Sequence, residues 1–296
     1  MSMNPWLWAG LALLLLAGLS YTALSAWGER RWRTDAEALR ARLALARRPP
    51  HFSRYSAAEL QGLPLPVQRF FRAALTDGQP IVLGVDMEQE GTLNMSETGA
   101  NWRAFRARQM VTTVPPGFDW DARVAHWPGV DVFVHDAYVG GVGQLHAAAL
   151  GAVTLARQQG TSELAQGELM RYLAEAAWYP TALLPSQGVR WQAVDVQSAR
   201  ARLSDGDTTV ELLFSFNSQG LIDSVRAESR ARLVGGVTTP TPWRGRWSQY
   251  SRREGMQVPL EGEVAWLLLE GQQPYWRGRI TALKYEWAPV DRDVTA

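Results

Sequence analysis

Residues 209–233, TVELLFSFNSQGLIDSVRAESRARL, contain the clearest fold signal in this chain of 296 residues. Apolar and polar side chains alternate on both sides of the turn at Ser218–Gly220, and Phe214 and Phe216 share one face, as in half-buried strands. Only a few residues separate the two runs, too few for the crossover that parallel strands need. The stretch therefore predicts two antiparallel strands that follow one another directly.

The same alternation recurs between Pro80 and the end of the chain. Turn formers such as Asp205-Gly206 and Gly235-Gly236 separate the runs, and no repeat period or long linker divides them. We therefore expect a mainly β (α+β) fold, in which residues 80–296 form one curved antiparallel sheet, or half-barrel, of about ten strands. The other strand-like runs are 102–110, 118–124, 130–139, 142–156, 189–196, 243–250, 264–269 and 275–287.

One helical pattern interrupts the strands at 162–177, SELAQGELMRYLAEAA. Ser162 is a suitable N-cap, Glu163 lies in the first turn, and apolar residues recur at helical spacing. The sequence predicts that this helix packs on the concave face of the sheet. A second helical region, 51–79, precedes the strands, and within it Val67, Phe70, Phe71 and Leu75 share one face that we expect to pack on the β domain.

The N-terminal stretch Trp6–Trp27 has 22 residues and no charge. As a helix it is about 33 Å long, enough to cross the roughly 30 Å hydrocarbon core of a bilayer. A cleavable signal is the alternative, but its usual basic start is missing and Ala23-Leu24-Ser25 matches a cleavage site weakly. We predict a retained transmembrane anchor over residues 1–28.

A basic segment, 29–50, follows the apolar stretch, whereas the N-terminal side has no side-chain charge. This asymmetry predicts a single-pass protein of the bacterial inner (cytoplasmic) membrane with its main domain in the cytoplasm, and the periplasm is the alternative. Strong helix formers continue to Arg48, so we expect a juxtamembrane helix. It is either a solvated stalk or a basic helix lying on anionic headgroups.

Composition excludes several classes of function. The net charge of +1 argues against a general nucleic-acid binder, which needs a basic excess. The absence of cysteine excludes disulfides, thiolate metal sites and cysteine nucleophiles. Fourteen tryptophans indicate a large aromatic core, an apolar cavity or a surface that meets lipid.

The polar residues between Phe118 and Asp136 form the densest group of candidate metal ligands or acid–base residues. Their spacing matches neither HExxH nor a calcium-binding loop, and alternating residues on a solvated strand would look the same. We interpret them as structural, with a metal-dependent hydrolase as the less favoured reading. The group consists of Asp119, Asp121, His126, Asp131, His135 and Asp136.

Other motifs are weaker. The glycines of Tyr138–Gly143 lack the lysine and the following helix of a phosphate-binding loop, and no serine lies in GxSxG. No catalytic residue, cofactor site or metal site is therefore predicted.

The run 168–185, ELMRYLAEAAWYPTALLP, resembles the hallmark of a bacterial family known only as a domain of unknown function. Residues 65–70, 115–118, 136–141 and 275–280 resemble the same family, whose members often follow an N-terminal membrane helix. The strand-rich pattern with one inserted helix is also similar to the half-barrel carriers of lipids and lipoproteins of the LolA and LppX type. That likeness implies an apolar cavity in the concavity of the sheet.

The leading prediction is a non-enzymatic, membrane-anchored domain that binds a lipid or acyl chain in the concavity of the sheet. The predicted lining residues are Tyr138, Arg171, Trp178, Tyr179 and Trp276. A protein–protein interaction scaffold at the membrane, docking another envelope protein, is the alternative. The lipid bilayer is the expected partner, and nucleic acid is not.

Overall fold

The computed structural model describes residues 5–96 and 99–289, so the first four residues of the predicted anchor and the last seven of the β domain lie outside the described residues. The helices are α1 (Pro5–Leu45), α2 (Leu65–Ala74) and α3 (Ser162–Glu175), with short 3-10 turns at Ala57–Leu60, Ala176–Trp178, Pro180–Leu183 and Pro185–Gln187. The strands before α3 are β1 (Val82–Asn94), β2 (Trp102–Thr112), β3 (Gly117–Trp127), β4 (Val130–Val139), β5 (Val142–Ala149) and β6 (Val153–Gln159). Those after it are β7 (Arg190–Ala193), β8 (Ser198–Asp205), β9 (Thr208–Phe216), β10 (Ile222–Val234), β11 (Val237–Arg253), β12 (Met256–Leu268) and β13 (Gly271–Trp287).

All described strands belong to one unclosed antiparallel sheet in the order β6-β5-β4-β3-β2-β1-β13-β12-β11-β10-β9-β8-β7. The mainly β, half-barrel fold class is confirmed, with thirteen strands rather than about ten. The predicted run 142–156 is two strands, because Leu150 and Gly151 adopt positive φ and reverse the chain. β1 and β8 also lie outside the runs that the alternation identified.

The sheet curves around α3. This helix contacts β3, β4 and β5 near one edge of the sheet and β9 and β10 near the other. A single helix can touch strands so far apart in the sheet order only from its concave side. The prediction for this helix is therefore confirmed, and the residues that face the concavity form the main core, including Leu169, Tyr172 and Leu173.

α2 packs against the core from one end of the sheet. Val67, Phe70 and Phe71 are fully buried, as the helical spacing predicted, and Phe70 lies against Phe216 of β9. A Pro at the second helical position is compatible with the missing backbone donors of a first turn. This end of the concavity is closed.

α1 is one continuous helix of 41 residues with two different environments. Its N-terminal part is exposed, has a mean hydropathy of 1.7 and is long and apolar enough to cross a membrane, a test that a signal sequence also passes. Its C-terminal part packs on the outer, convex face of the sheet, where Trp32, Leu39 and Leu43 are buried. The apolar stripe of this segment therefore faces protein, so the segment is not a free solvated stalk.

Three residues of the predicted Asp/His group, Asp119, Asp121 and His135, supply the polar half of this contact. Asp119 accepts from Arg40 Nε at 2.9 Å and lies 2.8 Å from His135 Nδ1. Asp121 accepts from Arg40 and from Trp32 Nε1, and the Trp32 ring stacks on His135 with centroids 4.6 Å apart. These residues are structural, and they hold α1 on the sheet.

Candidate ligand cavity

A cavity of about 110 Å³ lies in the concavity, between the end of α3 and the strands in the middle of the sheet. It is smaller than the roughly 300–1,000 Å³ of pockets that enclose a whole small ligand. Its size suits the end of a hydrocarbon chain. The lining residues are Leu93, Trp120, Asp136, Arg171, Ala174, Glu175, Trp178, Arg230, Trp243, Trp247, Val264, Tyr275 and Trp276.

Tryptophans form the apolar surface of the cavity because glycines lie beneath two of them. A Cβ added at Gly278 would come within 2.4 Å of the Trp276 ring, and one at Gly262 within 2.6 Å of the Trp247 ring. Both rings therefore lie flat against the sheet. The Trp178 ring, which follows α3, meets Trp247 edge-on with centroids 4.9 Å apart.

Arg171 of α3 places a compensated charge at the cavity wall. Its Nη1 donates to Asp136 Oδ2 at 2.5 Å and its Nε to Glu175 Oε1 at 2.7 Å. Burial alone would lower the pKa of Arg171, but Glu175 and Asp136 outweigh it and the pKa is raised. The guanidinium also lies over the Trp120 ring at 5.1 Å, a cation–π contact.

Buried amides extend this network into the sheet. Gln109 donates to Glu175 Oε2 at 2.6 Å and accepts from Gln89, whose own side-chain oxygen accepts from Trp120 Nε1 at 2.9 Å. Gln89 and Gln109 are almost completely buried. The hydrogen bonds that join Trp120, Gln89, Gln109, Glu175, Arg171 and Asp136 hold the cavity wall in one arrangement.

A second, looser pair lies beside this network. Arg230 Nη2 is 3.8 Å from Glu168 Oε1, its Nη1 donates to the Tyr275 hydroxyl at 3.3 Å, and the buried Oε2 of Glu168 accepts no hydrogen bond. Burial, and then the negative charge of Asp136, raises the pKa of Glu168 to about 8. The raised pKa favours the neutral carboxyl, which weakens its countercharge to Arg230.

Arg230 also separates the cavity from a larger, open pocket. This outer pocket has a volume of about 520 Å³ and lies between the first half of α3 and the β10–β11 hairpin. Among the described residues, Arg230 is the one that appears in the lining of both spaces. The other residues of the outer pocket are Glu163, Gln166, Gly167, Met170, Ser229, Ala231, Thr238 and Pro240.

Of the five predicted lining residues, Arg171, Trp178 and Trp276 line the cavity, and Tyr138 and Tyr179 do not. The Tyr138 hydroxyl donates to Asp205 Oδ2 at 2.9 Å, and the Tyr179 hydroxyl donates to the Tyr172 carbonyl in the core. The sequence reasoning did not select Trp120, Arg230, Trp243, Trp247 or Tyr275. The alternation placed the last three on strands, but only the strand order shows that they meet.

The geometry also bears on metal chemistry. Asp119, Asp121 and His135 face α1 on the convex side, whereas Asp136 faces Arg171 on the concave side. Within residues 5–96 and 99–289 no three His, Asp or Glu side chains converge as metal ligands. The convergence that the hydrolase reading required is therefore not seen among the described residues.

An open groove of about 1,200 Å³ runs along the outer face of the sheet, near α1. Five arginines and five acidic residues line it, and several pair across strands, such as Arg279 with Glu90 and Arg277 with Glu263. The groove is therefore a solvated surface of balanced charge.

The sequence profile of a family described as "Family of unknown function (DUF6920)" matches residues 61–285. No curated protein matches the chain. Among solved structures, a LolA superfamily protein from Nitrosomonas europaea is similar at 11% identity, with a TM-score of 0.38 over 71% of this chain and 88% of that chain. That likeness is too distant to bear on function.

Proposed function

Because this chain belongs to the DUF6920 family of unknown function, we propose its function from the chemistry of its own cavity. We propose a membrane-anchored, non-enzymatic protein that binds a lipid or other acyl chain in the concavity of its half-barrel. The observation that carries the proposal is a tryptophan-lined cavity that shares its lining residue Arg230 with a larger outer pocket.

The apolar part of the ligand would occupy the inner cavity. The rings of Trp178, Trp247 and Trp276 offer a rigid hydrocarbon-like surface, and burying a methylene there is worth about 0.8 kcal/mol. The cavity volume of about 110 Å³ admits the end of a chain. The rest of the chain would lie in the outer pocket of about 520 Å³ after the Arg230 side chain moves.

The polar end of the ligand would meet Arg230. Arg171 is already compensated by two carboxylates at hydrogen-bonding distance, whereas the nearest carboxylate oxygen to Arg230 is 3.8 Å away. Arg230 is thus the cavity cation best able to accept an acidic headgroup. A carboxylate or phosphate would form a charge-assisted hydrogen bond there.

A binding role fits the lining better than catalysis. Its two carboxylates, Asp136 and Glu175, both accept hydrogen bonds from Arg171. Among the described residues that line the cavity there is no serine, histidine or threonine that could act as a nucleophile or a base. A protein–protein scaffold is an outcome of the experiment below.

We further propose that α1 retains the protein in the bacterial inner membrane with the domain in the cytoplasm. The support is the arginine excess after the span. Two of those arginines also have partners on the domain, Arg40 with Asp119 and Arg47 with Glu286. A C-terminal alkaline phosphatase fusion tests the side: phosphatase activity would place the domain in the periplasm.

The binding proposal is tested with the full chain in detergent micelles, first by native mass spectrometry after extraction from membranes and then with dodecanoate as the probe. We expect co-purified lipid or acyl chains, and dodecanoate binding that Val264→Trp weakens by about tenfold or more, which is about 1.4 kcal/mol. Val264 lines the cavity, so the larger ring would fill it. Leu269→Trp, at a fully exposed turn, is the matched control.

Arg230→Met tests the headgroup contact. We expect wild type to bind dodecanoate more tightly than dodecanol, and the variant to lose that preference while still binding dodecanol. Failure to recover lipid, together with no binding of either probe, would refute the proposal. Capture of a stoichiometric protein partner in that case would favour the scaffold.

A further inference from the structure

Two turns of the sheet lie against α1, and they mark different levels along the helix. The β5–β6 turn touches Gly28, where an added Cβ would lie 2.1 Å from the Leu150 carbonyl oxygen. The β3–β4 turn touches Tyr21, whose hydroxyl donates to the Gly129 carbonyl. The contacts between the β domain and α1 therefore extend beyond the buried segment that begins near Trp32, as far as Tyr21.

The contact at Tyr21 lies inside the apolar stretch. Tyr21 precedes Trp27, the last residue of that stretch, by six positions, which corresponds to about 9 Å along a helix. When α1 crosses a bilayer, the hydrocarbon core takes up roughly 30 Å of it, so little of the apolar stretch remains outside. Tyr21 therefore lies on the membrane side of the hydrocarbon boundary, and the tip of the β3–β4 turn is brought at least to the depth of the headgroup layer.

The side chains at this tip suit that depth. Trp127 is 67% exposed and stacks on His126 with centroids 5.2 Å apart. Residues 127–129 are Trp-Pro-Gly and have no charge. Tryptophan favours the membrane–water interface, where its ring is half in hydrocarbon and its N–H remains in a polar layer. Val153, which follows the β5–β6 turn, is also exposed.

We propose that the β3–β4 turn, residues 127–129, is a second membrane contact that inserts Trp127 into the interface of the leaflet from which α1 emerges. The occupant of this surface is the lipid bilayer. Together with α1 it fixes how the sheet stands on the membrane, because two contacts restrain rotation about the helix axis. The proposal depends on retention of α1 in the membrane and is independent of any ligand in the cavity.

The absence of native cysteine makes a clean test possible, since one introduced cysteine can be labelled at a time. A nitroxide is attached at Trp127→Cys, Val153→Cys or Gln159→Cys in the full chain, reconstituted in vesicles of phosphatidylcholine and phosphatidylglycerol. Gln159 is exposed at the far end of β6, six residues or about 20 Å from Val153. Leu13→Cys reports whether α1 is inserted.

Collisions with oxygen and with a water-soluble nickel chelate give the depth of each label. We expect Leu13 to be deepest, Trp127 to lie at the interface, Val153 to be shallower, and Gln159 to be in water. A Trp127 label as accessible to nickel as the Gln159 label would overturn the proposal, whether or not Leu13 is in lipid. Because no acyl probe is added, failure here is distinct from failure of the cavity to bind lipid.

Discussion

The guanidinium Nε of Arg40 lies 2.9 Å from Oδ2 of Asp119, and this ion pair joins the N-terminal helix to the third strand. Asp119 is completely buried and Arg40 is largely so. The part of α1 that can cross a membrane therefore belongs to the same unbroken helix as the part that packs on the folded domain. No flexible linker separates the two in the described residues, so the orientation of α1 sets the orientation of the sheet.

Breaking this pair should weaken the fold. We expect Arg40→Met to lower the free energy of unfolding by about 3 kcal/mol, because a buried carboxylate is left without its guanidinium partner. Urea denaturation of the full chain in micelles measures the loss. Arg33→Met is the control, since Arg33 is exposed and its pair with Glu29 is 3.8 Å long; equal losses in the two variants would contradict this role for Arg40.

The buried carboxyl of Glu168 should make stability depend on pH. Burial and the charge of Asp136 raise its pKa to about 8 from an ordinary value of 4.5, so the folded state holds a proton that the unfolded state releases. The contribution of this protonated carboxyl to the free energy of unfolding is complete below pH 4.5 and is lost as the pH rises to about 8. Glu168→Gln keeps a neutral side chain at every pH.

We therefore expect the melting temperature of Glu168→Gln, relative to wild type, to rise steadily between pH 4.5 and 8. Thermal melts at several pH values in this window measure the difference. Glu163→Gln alters an exposed carboxylate on the same helix and serves as control. If the melting temperatures of the wild type and Glu168→Gln differ by the same amount at every pH, the raised pKa of Glu168 is disproved.

The flat packing of Trp276 should depend on Gly278. A Cβ at this position would meet ring atoms at 2.4 and 2.5 Å, so the ring must move into the cavity. We expect Gly278→Ala to cost about 1–3 kcal/mol of unfolding free energy and to change the near-ultraviolet circular dichroism of the tryptophans. Gly99→Ala, whose added Cβ has its nearest neighbour at 3.6 Å, should do neither.

The amide network behind the cavity should resist apolar substitution. Gln109→Leu removes the donor to Glu175 Oε2 and the acceptor for Gln89, which leaves that buried oxygen without a donor and Gln89 with only the Met87 sulfur as acceptor for its amide N–H. We expect a loss of about 1–3 kcal/mol in the free energy of unfolding. Gln158→Leu, on the exposed strand β6, is the control. If Gln109→Leu is as stable as this control, the network does not contribute to the stability of the fold.

Sequence reasoning succeeded where structure follows from nearby residues. The face of α2 formed by Val67, Phe70 and Phe71 could be identified because residues at helical spacing share a face in any helix. The alternation at 209–216 predicted a strand for the same reason. The split of 142–156 was missed because its turn contains a single glycine, and Leu150 is not a usual residue at positive φ.

The candidate site could be predicted only in part. Arg171, Trp178 and Trp276 were chosen from a helix end and from strands, and they meet at the cavity. Arg230 has no distinguishing signal, since alternating arginines on an exposed strand look the same. Its position at the cavity follows from the packing of α3 against β10, which the chain order does not reveal.

Local sequence features established the apolar N-terminal helix from its length without a charge, and the strands and the inserted helix from repeats of 2 and 3.6 residues, which follow from backbone geometry. Packing between distant segments decided the rest. Asp119 and Asp136 look alike in the sequence, yet one holds α1 and the other lies beside the cavity. The reason is that successive residues of a strand point to opposite faces, and only the folded sheet shows which face each helix covers.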